Sequence, residues 1–279
     1  MGMNRIDSHQ HFWIFDPVRD SWIDDSMKKI QKDFLPEDLL PLLTENNFAG
    51  CVAVQASQSE EETEFLLDLA SKNDFIKGVV GWVDLRAENI SERLSHFSQF
   101  EKLKGFRHVV QGEPDDFMFG TAFRNGIAAL KEFNFTYDIL IFHRQLPAAI
   151  DLVKSFPDQD FVIDHIAKPD IKSGEIESWK KNIEEISKLE NVKCKISGMV
   201  TEADWNNWKP SDLKPYLDVI FENFTADKLM FGSDWPVCNV ASDYKELVKT
   251  LEDYMSQFSI EDQNKIWSEN AKSFYKLKD

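Results

Sequence analysis

The chain has 279 residues, of which 32 are basic and 49 are acidic, so its formal net charge is −17. This length supports one large domain, and so acidic a surface repels phosphate backbones, which argues against nucleic acid as a partner. No apolar run approaches the roughly 18 residues of a membrane helix, and an aromatic fraction of 13% is not that of a disordered chain.

Short apolar segments alternate with amphipathic segments along the whole sequence. The predicted strands are Arg5–Ser8, Gly50–Gln55, Lys77–Val83, Lys104–Val109, Thr136–Phe142, Phe161–Ile163, Val192–Ser197 and Lys228–Gly232. The predicted helices span 36–46, 60–72, 88–100, 121–133, 147–156, 175–190, 211–223 and 242–257, with an extra helix over Ile260–Leu277. Ser59 and Glu62 predict a capping box at the start of the second helix.

Eight strand–helix units in this length match a single (β/α)₈ TIM barrel with the extra C-terminal helix packed on it. Nearly continuous apolar strands, such as Gly78–Val83, are typical of parallel strands covered by helices. An open doubly wound sheet is the alternative, but the GxGxxG motif is absent. Since no linker interrupts the pattern, residues 1–279 are predicted to form one domain.

The spacing of the cysteines and the position of the first strand indicate the cellular compartment in which the protein acts. Cys51, Cys194 and Cys238 form no CxxC pair, so the sequence indicates neither a disulfide framework nor a cysteine zinc site. The first strand begins near Arg5, which leaves no room for a signal peptide. We therefore expect a cytoplasmic protein that acts on a small molecule and has no membrane or nucleic-acid partner.

Five of the six histidines fall where predicted strands end, which is the face of a barrel that carries the active site. The strand ends hold Asp7–His11, Arg107–His108, His143–Arg144, Asp164–His165 with Lys168 shortly after, and Ser233–Trp235. One such histidine alone would more often be a hydrogen-bonded core residue. Convergence from five strands instead indicates a functional site.

His9 and His11 alternate along the first predicted strand, so both imidazoles can face the barrel axis and bind one metal ion. Asp234, at the end of the last strand, could ligate the same ion or take a proton from an attacking water. The long segments Phe12–Leu35 and Met199–Pro210 could fold over the mouth as lids. Gln55 and the strand-end tryptophans Trp82 and Trp235 are candidates for substrate contact, the alternative being that they anchor loops.

Four segments resemble the amidohydrolase superfamily: Ile6–Trp13, Gly105–His108, Asp164–Pro169 and Phe231–Pro236. More narrowly, they are similar to its amidohydrolase-related branch (amidohydrolase 2) of sugar lactonases, which includes L-fuconolactone and L-rhamnonolactone hydrolases, with 2-pyrone-4,6-dicarboxylate lactonase as a cousin. The resemblance spans nearly the whole chain. It implies a (β/α)₈ fold and hydrolysis of a cyclic ester.

The resemblance also implies roles for individual residues. Asp234 would be the general base and His165 would polarise the substrate carbonyl. His9 and His11 would either hold a metal ion or stabilise the developing oxyanion. The metal, which the resemblance implies is one divalent ion and which is expected to be zinc, would also be bound by Asp234, with His143 or His165 as a further ligand. Arg107, His108, Arg144 and Lys168 would bind the oxygen atoms of the substrate. The branch includes members that need no metal, so activity without zinc stays an open alternative.

One departure concerns the number of metal ions. Binuclear amidohydrolases bridge two metals with a carboxylated lysine, or a substitute acid, on strand four. Here strand four ends in Arg107 and His108, and Lys168 follows strand six. A binuclear centre is therefore not expected.

Other enzyme classes fit the sequence less well. A retaining glycosidase needs two carboxylates about 5–5.5 Å apart, whereas Asp84, Asp164 and Asp234 are spread over three strands. A serine hydrolase is not supported, because no GxSxG motif occurs. A metal-dependent decarboxylase of the same branch and a non-catalytic sugar-acid-binding barrel stay open as alternatives. The predicted function is hydrolysis of a sugar-acid lactone such as L-fuconolactone.

Overall fold

The computed structural model of the protein describes residues 5–278, in which eight parallel strands form one sheet in sequence order. The strands are β1 (Arg5–Gln10), β2 (Phe48–Val54), β3 (Ile76–Gly81), β4 (Leu103–His108), β5 (Thr136–Ile139), β6 (Phe161–Ile163), β7 (Val192–Ile196) and β8 (Leu229–Phe231). Beyond β8, the Asp234 N–H donates to the His9 carbonyl at 2.8 Å and the His11 N–H donates to the Trp235 carbonyl at 2.7 Å. These bonds join the two edges of the sheet, and the predicted barrel is confirmed.

Each strand is followed by a helix that covers the outside of the barrel. The helices are α1 (Pro36–Glu45), α2 (Glu60–Lys72), α3 (Ile90–Phe97), α4 (Thr121–Glu132), α5 (Leu146–Ser155), α6 (Glu177–Ile186), α7 (Pro210–Asn223) and α8 (Tyr244–Met255). Their apolar faces pack against the strands in one continuous hydrophobic core. Within residues 5–278 no helix has both the length and the apolar character needed to cross a bilayer.

The start of α2 differs from the predicted capping box. The Ser59 hydroxyl does accept a hydrogen bond from the Glu62 N–H at 3.1 Å. The Glu62 carboxylate, however, accepts from the backbone N–H groups of Ala56 and Ser57 instead of returning to Ser59. These two N–H groups follow the end of β2 at the barrel mouth and have no partner in a neighbouring strand. The carboxylate therefore stabilises the loop as well as the helix.

The C-terminal segment is helical as predicted, but it is not one regular α-helix. It consists of α9 (Ile260–Asn264), a π-helical turn (Lys265–Glu269) and α10 (Asn270–Phe274). Phe274 and Tyr275 pack against strand residues such as Val52 and Met230. The segment therefore closes the amino end of the barrel and leaves the carboxyl end open.

Candidate active site

Three side chains from the two edges of the sheet converge at the carboxyl end of the barrel. The Nε2 atoms of His9 and His11 lie 3.3 Å apart, and Asp234 Oδ1 lies 3.3 Å from His11 Nε2 and 3.9 Å from His9 Nε2. Ligands of a tetrahedral zinc ion with bonds of 2.0–2.1 Å are about 3.3–3.4 Å apart. This spacing fits a single divalent cation, for which the three residues form a candidate ligand group.

The remaining ring nitrogens of the two histidines already have partners. His11 Nδ1 lies 2.7 Å from the Val54 carbonyl, and His9 Nδ1 lies 3.2 Å from Asp164 Oδ1. The Val54 carbonyl places the His11 proton on Nδ1 and leaves Nε2 with a lone pair that faces the other ligands. His9 Nδ1 also lies 3.1 Å from the donor Lys195 Nζ, so both a donor and an acceptor contact this nitrogen. Burial lowers the pKa of His9 well below its ordinary value, so the ring is neutral at pH 7. A metal ion requires this protonation state.

Asp234 is ionised although it is buried. Burial favours the neutral acid, but the electrostatic effect of the neighbouring imidazoles, that of His165 first, outweighs it and holds the pKa of Asp234 well below its usual range. The backbone of Asp234 has a φ of 58°, in the left-handed region that residues other than glycine rarely adopt. Such strained residues concentrate at functional sites, where the surrounding structure holds them.

His165 reaches the same point from an unusual turn after β6. Residues His165 to Lys168 all have positive φ, between 45° and 61°, so the backbone makes one left-handed turn. The ring packs against Gly198, where a Cβ atom would lie 2.6 Å from it, and this close approach requires glycine. His165 Nδ1 lies 2.9 Å from the Ser197 hydroxyl, and Nε2 lies 3.8 Å from Asp234 Oδ1. Burial lowers the pKa of His165 to about 4.

A buried network of charges fills the barrel beneath these residues. Lys195 Nζ lies 2.6 Å from Asp138 Oδ2 and 3.0 Å from Asp164 Oδ1. Arg107 Nη1 lies 3.1 Å from Asp164 Oδ2 and 3.2 Å from His9 Nε2. All these side chains are buried. Two cations and two carboxylates balance each other here, as buried ions must, and His9 joins the network to the ligand group.

Lys195 and Asp138, which support the candidate ligand group from below, were missed by the sequence analysis. The segment Val192–Ile196 alternates apolar and basic residues, so Lys193 and Lys195 lie on one face of β7. On a solvent-exposed sheet the polar face would point outward. In a barrel covered by helices the apolar face packs on the helices, so the polar face points inward. This alternation was the signal that could have identified Lys195.

A cavity of about 290 Å³ opens above the ligand group. Its lining includes the predicted residues His11, Arg107, His165, Lys168 and Asp234, together with Arg19, Trp22, Gln58 and Gln111. Arg19 and Trp22 belong to segment 12–35, which covers part of the mouth. The volume is near the lower end of the range of about 300–1,000 Å³ for small-molecule sites, which suits a single ring.

Three of the predicted substrate-binding residues lie outside this cavity. His108 Nε2 lies 2.9 Å from Glu113 Oε1, and the His108 ring stacks on Phe117. The Trp82 indole N–H points at His108 Nδ1, at 3.4 Å. Arg144 is exposed and its Nε lies 2.9 Å from an Asp115 oxygen.

Three further predicted residues lie next to the site rather than in it. The Gln55 side chain donates from Nε2 to the main-chain carbonyl of Arg107 at 3.0 Å. The main-chain carbonyl of Gln55 accepts from the Arg107 guanidinium, so Gln55 holds Arg107 in place. Trp235 is buried and packs edge-on against Phe34. His143 Nδ1 lies 3.1 Å from the Lys168 carbonyl, and His143 belongs to neither candidate metal-ligand group in residues 5–278.

Fold and site together define a (β/α)₈ barrel with a candidate histidine–aspartate ligand group at its carboxyl end. The amidohydrolase family matches residues 6–277, and the chain belongs to this family. The L-fucono-1,5-lactonase of Burkholderia multivorans is 38% identical over 99% of this chain and 97% of its own length.

Two solved structures add to this comparison. An amidohydrolase from Burkholderia multivorans with bound zinc superimposes with a TM-score of 0.95 at 38% identity, over 98% of this chain and 99% of its own. A probable 2-pyrone-4,6-dicarboxylic acid hydrolase from Acinetobacter baumannii has a TM-score of 0.81 at 18% identity, over 98% of this chain and 100% of its own. The second likeness is one of fold alone.

Proposed function

We propose that this amidohydrolase is a lactone hydrolase that opens a small cyclic ester, with a sugar lactone such as L-fucono-1,5-lactone as the expected substrate. The observation that carries the proposal is the convergence of His9, His11, His165 and Asp234 at one ring-sized cavity. The name of the 38% identical relative supports the substrate class.

Asp234 is the general base of the proposed reaction. Its carboxylate takes a proton from the water that attacks the lactone carbonyl carbon. As the tetrahedral intermediate collapses and the bond between the carbonyl carbon and the ring oxygen breaks, the same proton goes to the ring oxygen. The product is an open hydroxy acid, and Asp234 is again ionised.

His9, His11 and Asp234 would hold the divalent cation, which we propose is zinc. When bound there, zinc lowers the pKa of water and polarises a carbonyl oxygen. That chemistry matters here because a carboxylate with a pKa as low as that of Asp234 is a weak base toward ordinary water.

His165 donates a hydrogen bond to the substrate carbonyl. The Ser197 hydroxyl, 2.9 Å from Nδ1, can donate to that nitrogen and so place the ring proton on Nε2, which faces the cavity. A neutral donor aimed at the developing oxyanion stabilises the transition state. Arg107, held by Gln55 and Asp164, adds a fixed positive charge beside the same point.

A panel of sugar lactones at neutral pH, with acid release followed by a pH indicator, tests the proposal. We expect turnover of at least one lactone with a five- or six-membered ring. Decarboxylation of an aromatic or enoic acid with no lactone turnover would favour the decarboxylase alternative. Binding of sugar acids without turnover of any substrate would favour the non-catalytic barrel.

A further inference from the structure

We propose that Glu202 keeps the affinity for the carboxylate product low by neutralising Lys168 in the wall of the cavity. The proposal rests on the lactone hydrolase function. It assigns to Glu202 a part in product release, because the charge of Glu202 distinguishes the anionic product from the neutral substrate.

Lactone hydrolysis changes the charge of the molecule in the cavity. The lactone is neutral, whereas the hydroxy acid that leaves carries a carboxylate at neutral pH. In the proposed reaction this carboxylate forms next to Asp234, which activates the water, and His165, which contacts the carbonyl oxygen. A nearby cation without a partner would bind the product more tightly than the substrate. Product release is therefore easier when each cation of the cavity has a partner in the protein.

Lys168 is the cation that lies nearest to His165 along the chain. Its side chain lines the cavity and is 16% exposed, so a ligand in the cavity can reach it. Lys168 follows His165 in the same left-handed turn. Burial is the main cause of the lowered pKa of His165, and the charge of Lys168 lowers that pKa further. The ammonium group is therefore close to the point where the product carboxylate forms.

Glu202 is the carboxylate that pairs with Lys168. Its Oε1 lies 3.6 Å from Lys168 Nζ, and both side chains are partly buried. Burial raises the pKa of Glu202, the charge of Lys168 lowers it, and the charge of Asp234 raises it again. The charges of these three side chains therefore interact. A product carboxylate at Lys168 has to compete with Glu202, and both acidic side chains repel it.

The backbone holds Glu202 in this position. Glu202 ends a short helical turn, Val200–Glu202, and its N–H donates to the Met199 carbonyl at 3.2 Å. Its carbonyl accepts from the Lys172 N–H at 3.0 Å, which joins the loop after β6 to the loop after β7. The carboxylate is thus in place before the product forms, so neutralising Lys168 requires no rearrangement.

The other two basic side chains that line the cavity within residues 5–278 are also paired. Arg19 lies 2.7 Å from Asp20, and Arg107 lies 3.1 Å from Asp164. Both of these aspartates are buried, whereas Glu202 is partly exposed. The charge of Glu202 can therefore be removed with the least disturbance to the fold.

Glu202→Gln tests the assignment, because glutamine keeps the shape of the side chain and removes its charge. The probe is L-fuconate, the open acid of the expected lactone, and its Kd is measured by isothermal titration calorimetry at pH 7.5. We expect this Kd to fall about 10-fold, since Lys168 loses its partner. The Kd of L-fucitol, a neutral polyol with the same ring substituents, and the KM of the lactone should stay within about 2-fold of wild type.

Glu190→Gln is the matched control, because it removes the same charge at the amino end of the barrel, where Glu190 is 94% exposed. It should leave the Kd of L-fuconate within about 2-fold of wild type. In the double variant Glu202→Gln/Lys168→Met the tighter binding should disappear, since Lys168 provides it.

Two results would overturn this role of Glu202 while lactone turnover is intact. One is an unchanged Kd of L-fuconate in Glu202→Gln, and the other is equal tightening for L-fuconate and L-fucitol. No turnover of any lactone by wild type would instead overturn the lactone hydrolase function, and this proposal with it.

Discussion

Two groups of acids and histidines meet at His9, and they differ in what balances their negative charge. The upper group, His9, His11 and Asp234, reaches the cavity through His11 and Asp234, and the lower group, His9, Asp164 and His165, reaches it only through His165. Lys195 Nζ and Arg107 Nη1 lie within 3.1 Å of the Asp164 carboxylate, so side-chain cations already occupy the lower group.

Residues of the right type and spacing need unbalanced negative charge before they can bind a metal ion. The lower group has the residue types and the spacing for a cation, but the protein supplies two cations of its own. In the upper group the side-chain cations lie at His9, with Arg107 Nη1 3.2 Å from Nε2 and Lys195 Nζ 3.1 Å from Nδ1, whereas the ion-pair partners of Asp234 within residues 5–278 are histidines. We therefore expect the two groups to respond differently when they are perturbed: the upper group through activity, the lower group through stability.

Asp234→Asn should have the largest effect on the upper group. An amide cannot accept the proton from water, so kcat on the preferred lactone should fall by about 10²- to 10⁴-fold. Initial rates measured with a pH indicator give this number. Asp115→Asn, which alters an exposed aspartate near the mouth, is the control and should stay within about 2-fold. Equal rates in wild type and Asp234→Asn would remove Asp234 from the reaction.

Lys195→Met should break the lower group. Asp138 and Asp164 would keep buried negative charge without their main partner, which costs about 3–5 kcal/mol in the free energy of unfolding. Urea denaturation measures the loss. The matched control is Lys249→Met, which removes an exposed pair with Asp253 and should cost less than about 0.5 kcal/mol. Similar losses in the two variants would mean that the lower group needs no cation.

Metal removal should act on the upper group and spare the lower one. Chelation should lower kcat/KM about 10²-fold, the usual scale for losing one electrostatic stabiliser of an oxyanion. Re-addition of zinc should restore the rate in proportion to the zinc content found by elemental analysis. Full activity in metal-free protein would leave Asp234 acting with His165 and Arg107 alone.

The pH dependence of stability should show a smaller effect that is specific to His165. Its pKa is about 4 in the folded protein and about 6.5 when unfolded, so between these values the unfolded chain binds more protons. Stability therefore falls as the pH falls through this window, and His165 should account for about 2 kcal/mol of loss by pH 5. In metal-free protein, His165→Gln should lose that much less stability than wild type between pH 7 and pH 5. Equal losses would contradict the burial of a neutral imidazole.

The sequence predicted the barrel because its repeating pattern is local. Most predicted strands and helices match the observed ones to within two or three residues, and Phe161–Ile163 matches at both ends. Strand β5 stops at Ile139 rather than at Phe142, because the chain turns there over the barrel mouth. Apolar character alone does not distinguish a strand from the loop that leaves it. The π-helical turn at Lys265–Glu269 also has no recognisable signal in composition or period.

The candidate site was predictable where it depended on position along a strand. His9, His11, His165 and Asp234 converge because the carboxyl ends of parallel strands share one face. Side-chain direction was not predictable at Arg144 or at His108, whose carboxylate partners come from the loop after β4. Glu202 was missed for a related reason, since a polar loop residue looks like any other until its neighbours are known.

The left-handed turn from His165 to Lys168 links the site to the outer layer of the molecule. An L-residue in that conformation costs roughly 1–2 kcal/mol, and the branched Ile166 is poorly suited to it. The Trp179 indole, on α6, donates to the Ile166 carbonyl at 2.7 Å and helps to hold the turn. Variant libraries that aim at new substrates should therefore keep Trp179 fixed, although it never meets the cavity. Changing it would release the strain by letting His165 turn away.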